Sequence, residues 1–111
     1  MLYSKVRIDS FGYELAPNVV TTEALEKRLE PLYQKLRIQV GQLEAITGIH
    51  ERRFWDRGYK MYEGAVAAGQ KAVDASDIPP SDIGTLIYCG VCRDNLEPAT
   101  ACAVSDCLGL S

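Results

Sequence analysis

Glu97 sits between Leu96 and Pro98 in the stretch Cys92-Arg-Asp-Asn-Leu-Glu-Pro-Ala-Thr-Ala-Cys102. An apolar run, Thr85-Leu-Ile-Tyr-Cys-Gly-Val-Cys92, precedes it, and small residues suited to a helix follow. Ligands of open α/β sheets bind at the carboxyl ends of the strands. A carboxylate at such a junction is placed for proton abstraction as a general base. The same residue has a structural use, because an acid just before a helix stabilises the positive end of its dipole. Residue chemistry alone leaves these two roles evenly balanced. Arg93-Asp94-Asn95 adds a polar cluster at the same edge.

The other reactive residue types carry less. Cys89-x-x-Cys92 and Cys102-x-x-x-x-Cys107 invite a metal site. In a strand, residues three apart point to opposite faces, whereas zinc needs ligands converging tetrahedrally. Cys102 and Cys107 lie five apart in an expected helix, off the spacing that shares a face. The sequence therefore predicts no metal site and four ordinary small buried thiols. His50 is the one histidine and has no nucleophile evident beside it, so a surface or strand-end role is expected. No P-loop, dinucleotide fingerprint or His-Glu-x-x-His helix is present.

The elements that must position these residues follow from periodicity. Val6 and Ile8 alternate with Arg7 and Asp9, predicting a half-buried strand within residues 3–15. Ala16-Pro-Asn-Val-Val20 reads as a loop. Leu25, Leu29, Leu32 and Leu36 form a helical stripe, with Thr21 or Thr22 as N-cap and Glu23 in the first turn. Pro31 predicts a kink or two short helices. A short helical turn ending at Gly48 comes next, then a strand or extended arm in His50–Asp56. Residues 61–76 predict a helix with Ala65, Ala68, Ala72 and Ala75 on one face, and Asp77–Gly84 a turn. The run at 85–92 reads as a central strand covered on both faces. Pro98 opens a last helix over 99–108, with Gly109 ending it. The order β-α-β-α-β-α predicts an α/β fold. A central strand followed by a helix normally returns to its sheet, so the sheet is expected to be incomplete after the last helix.

The 111 residues bound the chain to one domain, with 47% hydrophobic and 24% charged residues, as in globular proteins. A formal charge of −3 argues against nucleic acid as a partner, which needs a basic face. The N-terminal stretch carries Lys5, Arg7 and Asp9 and reads as neither signal peptide nor membrane span. A cytoplasmic location with reduced cysteines is expected.

Thr47-Gly-Ile-His-Glu-Arg-Arg-Phe-Trp-Asp56, the following helix and Ser81–Leu110, with Cys92-Arg-Asp-x-Leu-Glu-Pro-Ala-Thr-Ala101 and Leu108-Gly-Leu110, resemble the N-terminal part of thiolase-superfamily condensing enzymes. Within these, the group is the ketoacyl-acyl-carrier-protein synthase III enzymes, and the branch is the one that condenses acyl groups head to head in olefin biosynthesis. The resemblance implies the N-terminal portion, residues 1–111, of a layered αβαβα domain. It also implies an acyltransferase that makes a 2-alkyl-3-keto acid from two fatty acyl thioesters, carried on coenzyme A or on acyl carrier protein. A homodimer, or a complementing chain with the rest of the fold, is implied as partner, with no resident cofactor. In ordinary synthase III enzymes the loop residue before the proline is apolar and lines the partner subunit's acyl pocket. A glutamate holds that place in the olefin branch, which gives Glu97 the role of catalytic base across the dimer. Burial strengthens a carboxylate as a base, and the helix field opposes that effect.

The tryptophan and arginine that grip coenzyme A in synthase III enzymes are matched here by Gln42 and Ile46, while Trp55 follows the block. Cofactor-binding residues are thus left unassigned. None of Cys89, Cys92, Cys102 or Cys107 matches the family's nucleophile, and His50 does not match its histidine. The chain alone is not expected to condense acyl groups. A conventional synthase III of fatty acid or polyketide synthesis is the alternative activity, and a non-catalytic interaction module using an open sheet edge is a further one.

Overall fold

A computed structural model describes residues 4–110. Tyr3, the first residue of the expected N-terminal strand, lies outside the described residues. By internal contacts the chain forms two compact units, one of residues 15–57 and one combining the residues up to Glu14 with those from Gly58 onward.

In the first unit, β1 (Asn18–Thr21) pairs antiparallel with β2 (Glu51–Phe54), Val19 facing Arg53 and Thr21 facing Glu51. The arm at His50–Asp56 thus contains the strand that its sequence predicts, and its partner is the segment expected as a loop. The β-branched pair Val19-Val20 suits a ladder. Pro17, which has no N–H to give, stands just before it. Helix α1 (Thr22–Arg28) starts at Thr21, whose hydroxyl accepts from the Ala24 N–H at 3.1 Å. The leucine stripe then divides at Leu29, and α2 (Glu30–Leu36) carries Pro31 in its first turn, where no intrahelical N–H is required. Helix α3 (Gln42–Thr47) ends at Gly48 with φ 68°, a left-handed conformation that glycine adopts without strain.

Two polar residues lie at the centre of this unit. Thr22 is fully buried: its N–H donates to the His50 carbonyl at 2.8 Å, and its hydroxyl bonds the Ile49 carbonyl and accepts from Arg52 at 3.1 Å. Glu26, 2% exposed, accepts from the N–H groups of Gly41 at 2.7 Å and Leu43 at 2.9 Å, and from the Tyr33 hydroxyl at 3.3 Å. A carboxylate inside a protein is tolerated only when so bonded. The backbone donors of Gly41 and Leu43 lower its pKa from the ordinary 4.5, against the opposing effect of burial.

In the second unit, helix α4 (Met61–Asp74) receives the N-terminal arm along its side. Ser10 donates to the Ala72 carbonyl at 2.7 Å, Ser76 donates to Asp9 at 2.6 Å, and Lys71 pairs with Glu14. The alanine face allows close approach: a Cβ on Gly12 would lie 2.4 Å from the Ala68 carbonyl oxygen. Helix α5 (Thr100–Cys107) packs against α4, burying Thr100 and Val104 one turn apart. A Cβ on Gly69 would meet Leu108 at 2.9 Å, so α4 and the end of α5 nearly touch there. Gly109, with φ 63°, follows α5 as predicted.

Two expected strands are corrected. Among the described residues neither the Val6–Ile8 alternation nor the apolar run at 85–92 joins a ladder. An extended segment becomes a strand only when a neighbour supplies backbone donors and acceptors, and the described chain offers these two runs none. Val6, Ile8, Ile87 and Val91 stay exposed as a result, Ile87 at 79%. The cysteines are corrected as well: all four are exposed thiols. Cys89 and Cys92 lie on the uncovered run, and Cys102 and Cys107 lie away from the buried Thr100–Val104 face of α5. Among the described residues no helix is long and apolar enough to cross a membrane.

The lowered pKa of Glu26 fixes a pH dependence. Its bonds stabilise the fold fully above the unfolded carboxyl's value near 4.5 and are lost as pH falls through the lower folded value. Glu26→Gln should therefore lower the urea midpoint at neutral pH, and the gap to the parent should close below that value. Urea titrations of both proteins across the acid range check this; a gap that keeps its width would contradict it.

Candidate active site

The apolar run at 85–92 leads into the loop that carries Glu97, and one interaction sets where that loop lies. The Asp94 carboxylate accepts from the N–H of Met61 and of Tyr62, each at 2.9 Å, at the start of α4. Those donors have no partner within their own helix, and a carboxylate there also meets the positive end of the helix dipole. Lys60 N–H donates to Glu63 at 2.7 Å, and Glu63 N–H donates to the Lys60 carbonyl at 3.2 Å. The beginning of α4 is thereby closed. Of the predicted polar cluster, Asp94 is an anchor rather than a ligand-facing group. The sequence signal was available: a lone acid in a loop can cap a helix far along the chain as well as the next one.

Three residues beyond the anchor, Glu97 borders a cavity of about 240 Å³. Arg93, Leu96 and Tyr88 line it together with Ala99, Thr100 and Ala101 at the start of α5. The Tyr88 hydroxyl donates to the Cys92 carbonyl at 3.3 Å, and the ring occupies the space that a side chain on Gly90 would need. The Glu97–Pro98 peptide is cis. Glu97 is exposed, and no hydrogen bond or ion pair engages its carboxylate among the described residues. Helix α5 has Ala99 as N-cap and no side-chain cap. Among the described residues the buried Thr100 hydroxyl has no hydrogen-bond partner. Thr100 drew no attention in the sequence, where it reads as one more small residue in Ala-Thr-Ala. Glu97, whose carboxylate has no partner among the described residues, and Arg93 thus border a half-apolar hollow.

The remaining candidates lie elsewhere in function. His50 is exposed beside Glu44, Nδ1 to Oε1 3.1 Å, and its carbonyl serves Thr22. Gln42 opens α3, and Ile46 on the same helix is 75% exposed, so neither supplies an aromatic or cationic grip. Trp55 is half-buried just after β2. Among the described residues no three metal-ligating side chains gather.

The comparisons with known proteins agree on one group. The chain is 52% identical over its 111 residues to an acyl-CoA:acyl-CoA alkyltransferase of Shewanella oneidensis, covering all of this chain and 32% of that protein. It is 39% identical to the protein of the same name from Xanthomonas campestris, covering 33% of it. A beta-ketoacyl-[acyl-carrier-protein] synthase III of Natranaerobius thermophilus is 32% identical over 106 residues, 96% of this chain and 30% of that one. The crystal structure of cerulenin-bound OleA of X. campestris superposes with a TM-score of 0.82 at 38% identity, covering 92% of this chain and 31% of that one. The likeness to the N-terminal part of thiolase-superfamily condensing enzymes holds. The α/β fold class holds with it, as the corresponding portion of the OleA fold. The chain spans about a third of the length of the curated relatives it matches. No family model matches it.

The anchor gives a direct prediction. Asp94→Ala should cost about 1 kcal/mol, as lost caps do, and should speed hydrogen exchange at the Met61 and Tyr62 amides. Exchange measured by NMR checks it; unchanged protection at both amides would rule out the anchoring role.

Proposed function

We propose that this chain is the N-terminal portion, residues 1–111, of a condensing domain that joins two fatty acyl thioesters head to head, with Glu97 as the base. The observation that carries the reading is the Glu97 carboxylate itself. It borders a half-apolar cavity, has no partner, and sits on a loop tied down at Asp94. The 52% identity to an acyl-CoA:acyl-CoA alkyltransferase supports the reaction class.

In the proposed step the Glu97 carboxylate takes a proton from the carbon next to the carbonyl of one acyl thioester. The electron pair left on that carbon attacks the carbonyl carbon of a second acyl group, held as a thioester on the enzyme's cysteine. The new carbon–carbon bond forms as the cysteine thiolate leaves. Water then hydrolyses the remaining thioester to the 2-alkyl-3-keto acid. The nucleophilic cysteine, with its histidine and asparagine, belongs to the remainder of the enzyme, because Cys89, Cys92, Cys102 and Cys107 are not matched to it. Glu97 works in the acyl pocket of a second subunit of a homodimer or of a complementing chain. Its exposure in this chain suits delivery to another surface, where loss of water strengthens a carboxylate as a base. The thioester carrier is coenzyme A or acyl carrier protein, and the setting is cytoplasmic.

A conventional synthase III is the second reading, favoured by the 32% identity to the N. thermophilus enzyme. Glu97→Ala separates the two in the full enzyme containing this chain. The head-to-head reading predicts a loss of condensation of about 10²-fold or more, the scale of a missing general base, with acylation of the cysteine kept. Intact mass spectrometry follows the acyl-enzyme and chromatography the keto acid. Condensation at the parental rate would refute the base.

A further inference from the structure

We propose that Leu96 is a specificity-determining residue for the acyl group whose α-proton Glu97 removes: in the assembled enzyme its side chain forms the wall beside the first carbons of that chain. This inference rests on the reading of Glu97 given above.

Leu96 directly precedes Glu97 and is 83% exposed. In an extended segment, neighbouring side chains point to opposite faces, and a leucine next to a base would turn away from it. Here the chain bends at residues 96–98, and Leu96 and Glu97 border the same hollow. The two side chains therefore lie on one side of the loop. Two residues before Leu96, the Asp94 carboxylate ties that loop to the Met61 and Tyr62 N–H groups. Both Leu96 and Glu97 are exposed, as delivery to another surface requires. A surface that receives Glu97 receives Leu96 with it.

The chemistry of the pair is divided. Glu97 supplies the one carboxylate among the side chains lining the hollow, and Leu96 the one large aliphatic group. Ile87 and Val91 are also exposed, but they lie on the run before the anchor and do not border the hollow. Sites for apolar ligands combine hydrophobic walls with a few polar groups that fix orientation. Consecutive Cα atoms across a trans peptide are about 3.8 Å apart. A carboxylate that reaches the α-carbon thus keeps the leucine methyls beside the methylenes that follow it. Leu96 touches the substrate chain and no reacting atom, so it selects the chain without taking part in the proton transfer.

Three variants of the full enzyme containing this chain test the proposal: Leu96→Ala, Leu96→Phe and Glu97→Gln. The cysteine is first loaded with one straight-chain acyl group. Condensation is then followed with a second thioester, either straight or branched at the carbon next to the α-carbon. In Leu96→Ala the ratio of kcat/KM for the branched over the straight thioester should rise roughly tenfold, the scale of a small change of volume in an apolar pocket. In Leu96→Phe the ratio should fall. Loading of the cysteine should stay parental in both, and Glu97→Gln should slow both thioesters alike.

An unchanged ratio in both leucine variants, alongside a crippled Glu97→Gln, would overturn the specificity role and leave the base standing. Equal losses for the two thioesters, with dissociation of the subunits on ultracentrifugation, would overturn it in favour of a packing role. A parental rate for Glu97→Gln would remove the base and the specificity role together.

Discussion

The first backbone N–H groups of a helix have no partner inside it, and in α4 two of them are met by a carboxylate more than thirty residues away. That pairing with Asp94 is the constraint on which the site depends. Among the described residues the run at 85–92 has no neighbouring strand, and the Asp94 anchor ties the loop beyond it to the start of α4. Arg93, Leu96 and Glu97 flank the anchor on both sides and face a common hollow with the start of α5. The two helix beginnings differ accordingly: α4 is closed by Asp94 and Glu63, while α5 has no side-chain cap. Glu97, just before α5, has no hydrogen bond or ion pair among the described residues.

The helices were legible in the sequence because their signals are local. Thr21 caps α1, Pro31 opens α2, Gly48 and Gly109 follow α3 and α5, and each device works within a turn of the residue that carries it. Strands depend on a partner that periodicity cannot name. Pro17 gives the Val19-Val20 segment the look of a loop, yet β2 supplies a register for it. The alternation at Val6–Ile8 and the apolar run at 85–92 have strand patterns without a ladder among the described residues. The cysteines followed the same error. Their expected burial assumed that the run was covered on both faces, and the thiols are exposed.

The site was half legible. Glu97 could be singled out from its place between a run of apolar residues and a proline-led helix, and the structure sets it at a cavity as that place suggests. Its two readings, helix-dipole partner or base, are even in the sequence, since both need an acid just before a helix. Asp94 read as part of a ligand-facing cluster because the helix it caps lies far back in the sequence. Thr100 was invisible, since an unsatisfied hydroxyl is a property of three-dimensional surroundings and has no composition signature. Glu26 was hidden for the same reason: on a helix surface pattern it reads as one more exposed acid, whereas the Gly41 and Leu43 amides draw it inside.

The central claim is that Glu97 removes the α-proton of an acyl thioester. Its most direct measurement is hydrogen–deuterium exchange at that carbon, followed by NMR in D₂O with the full enzyme and an acyl thioester analogue unable to complete condensation. The account predicts enzyme-dependent exchange in the parent and its loss in Glu97→Gln. Exchange that continues at the parental rate without the Glu97 carboxylate would contradict it.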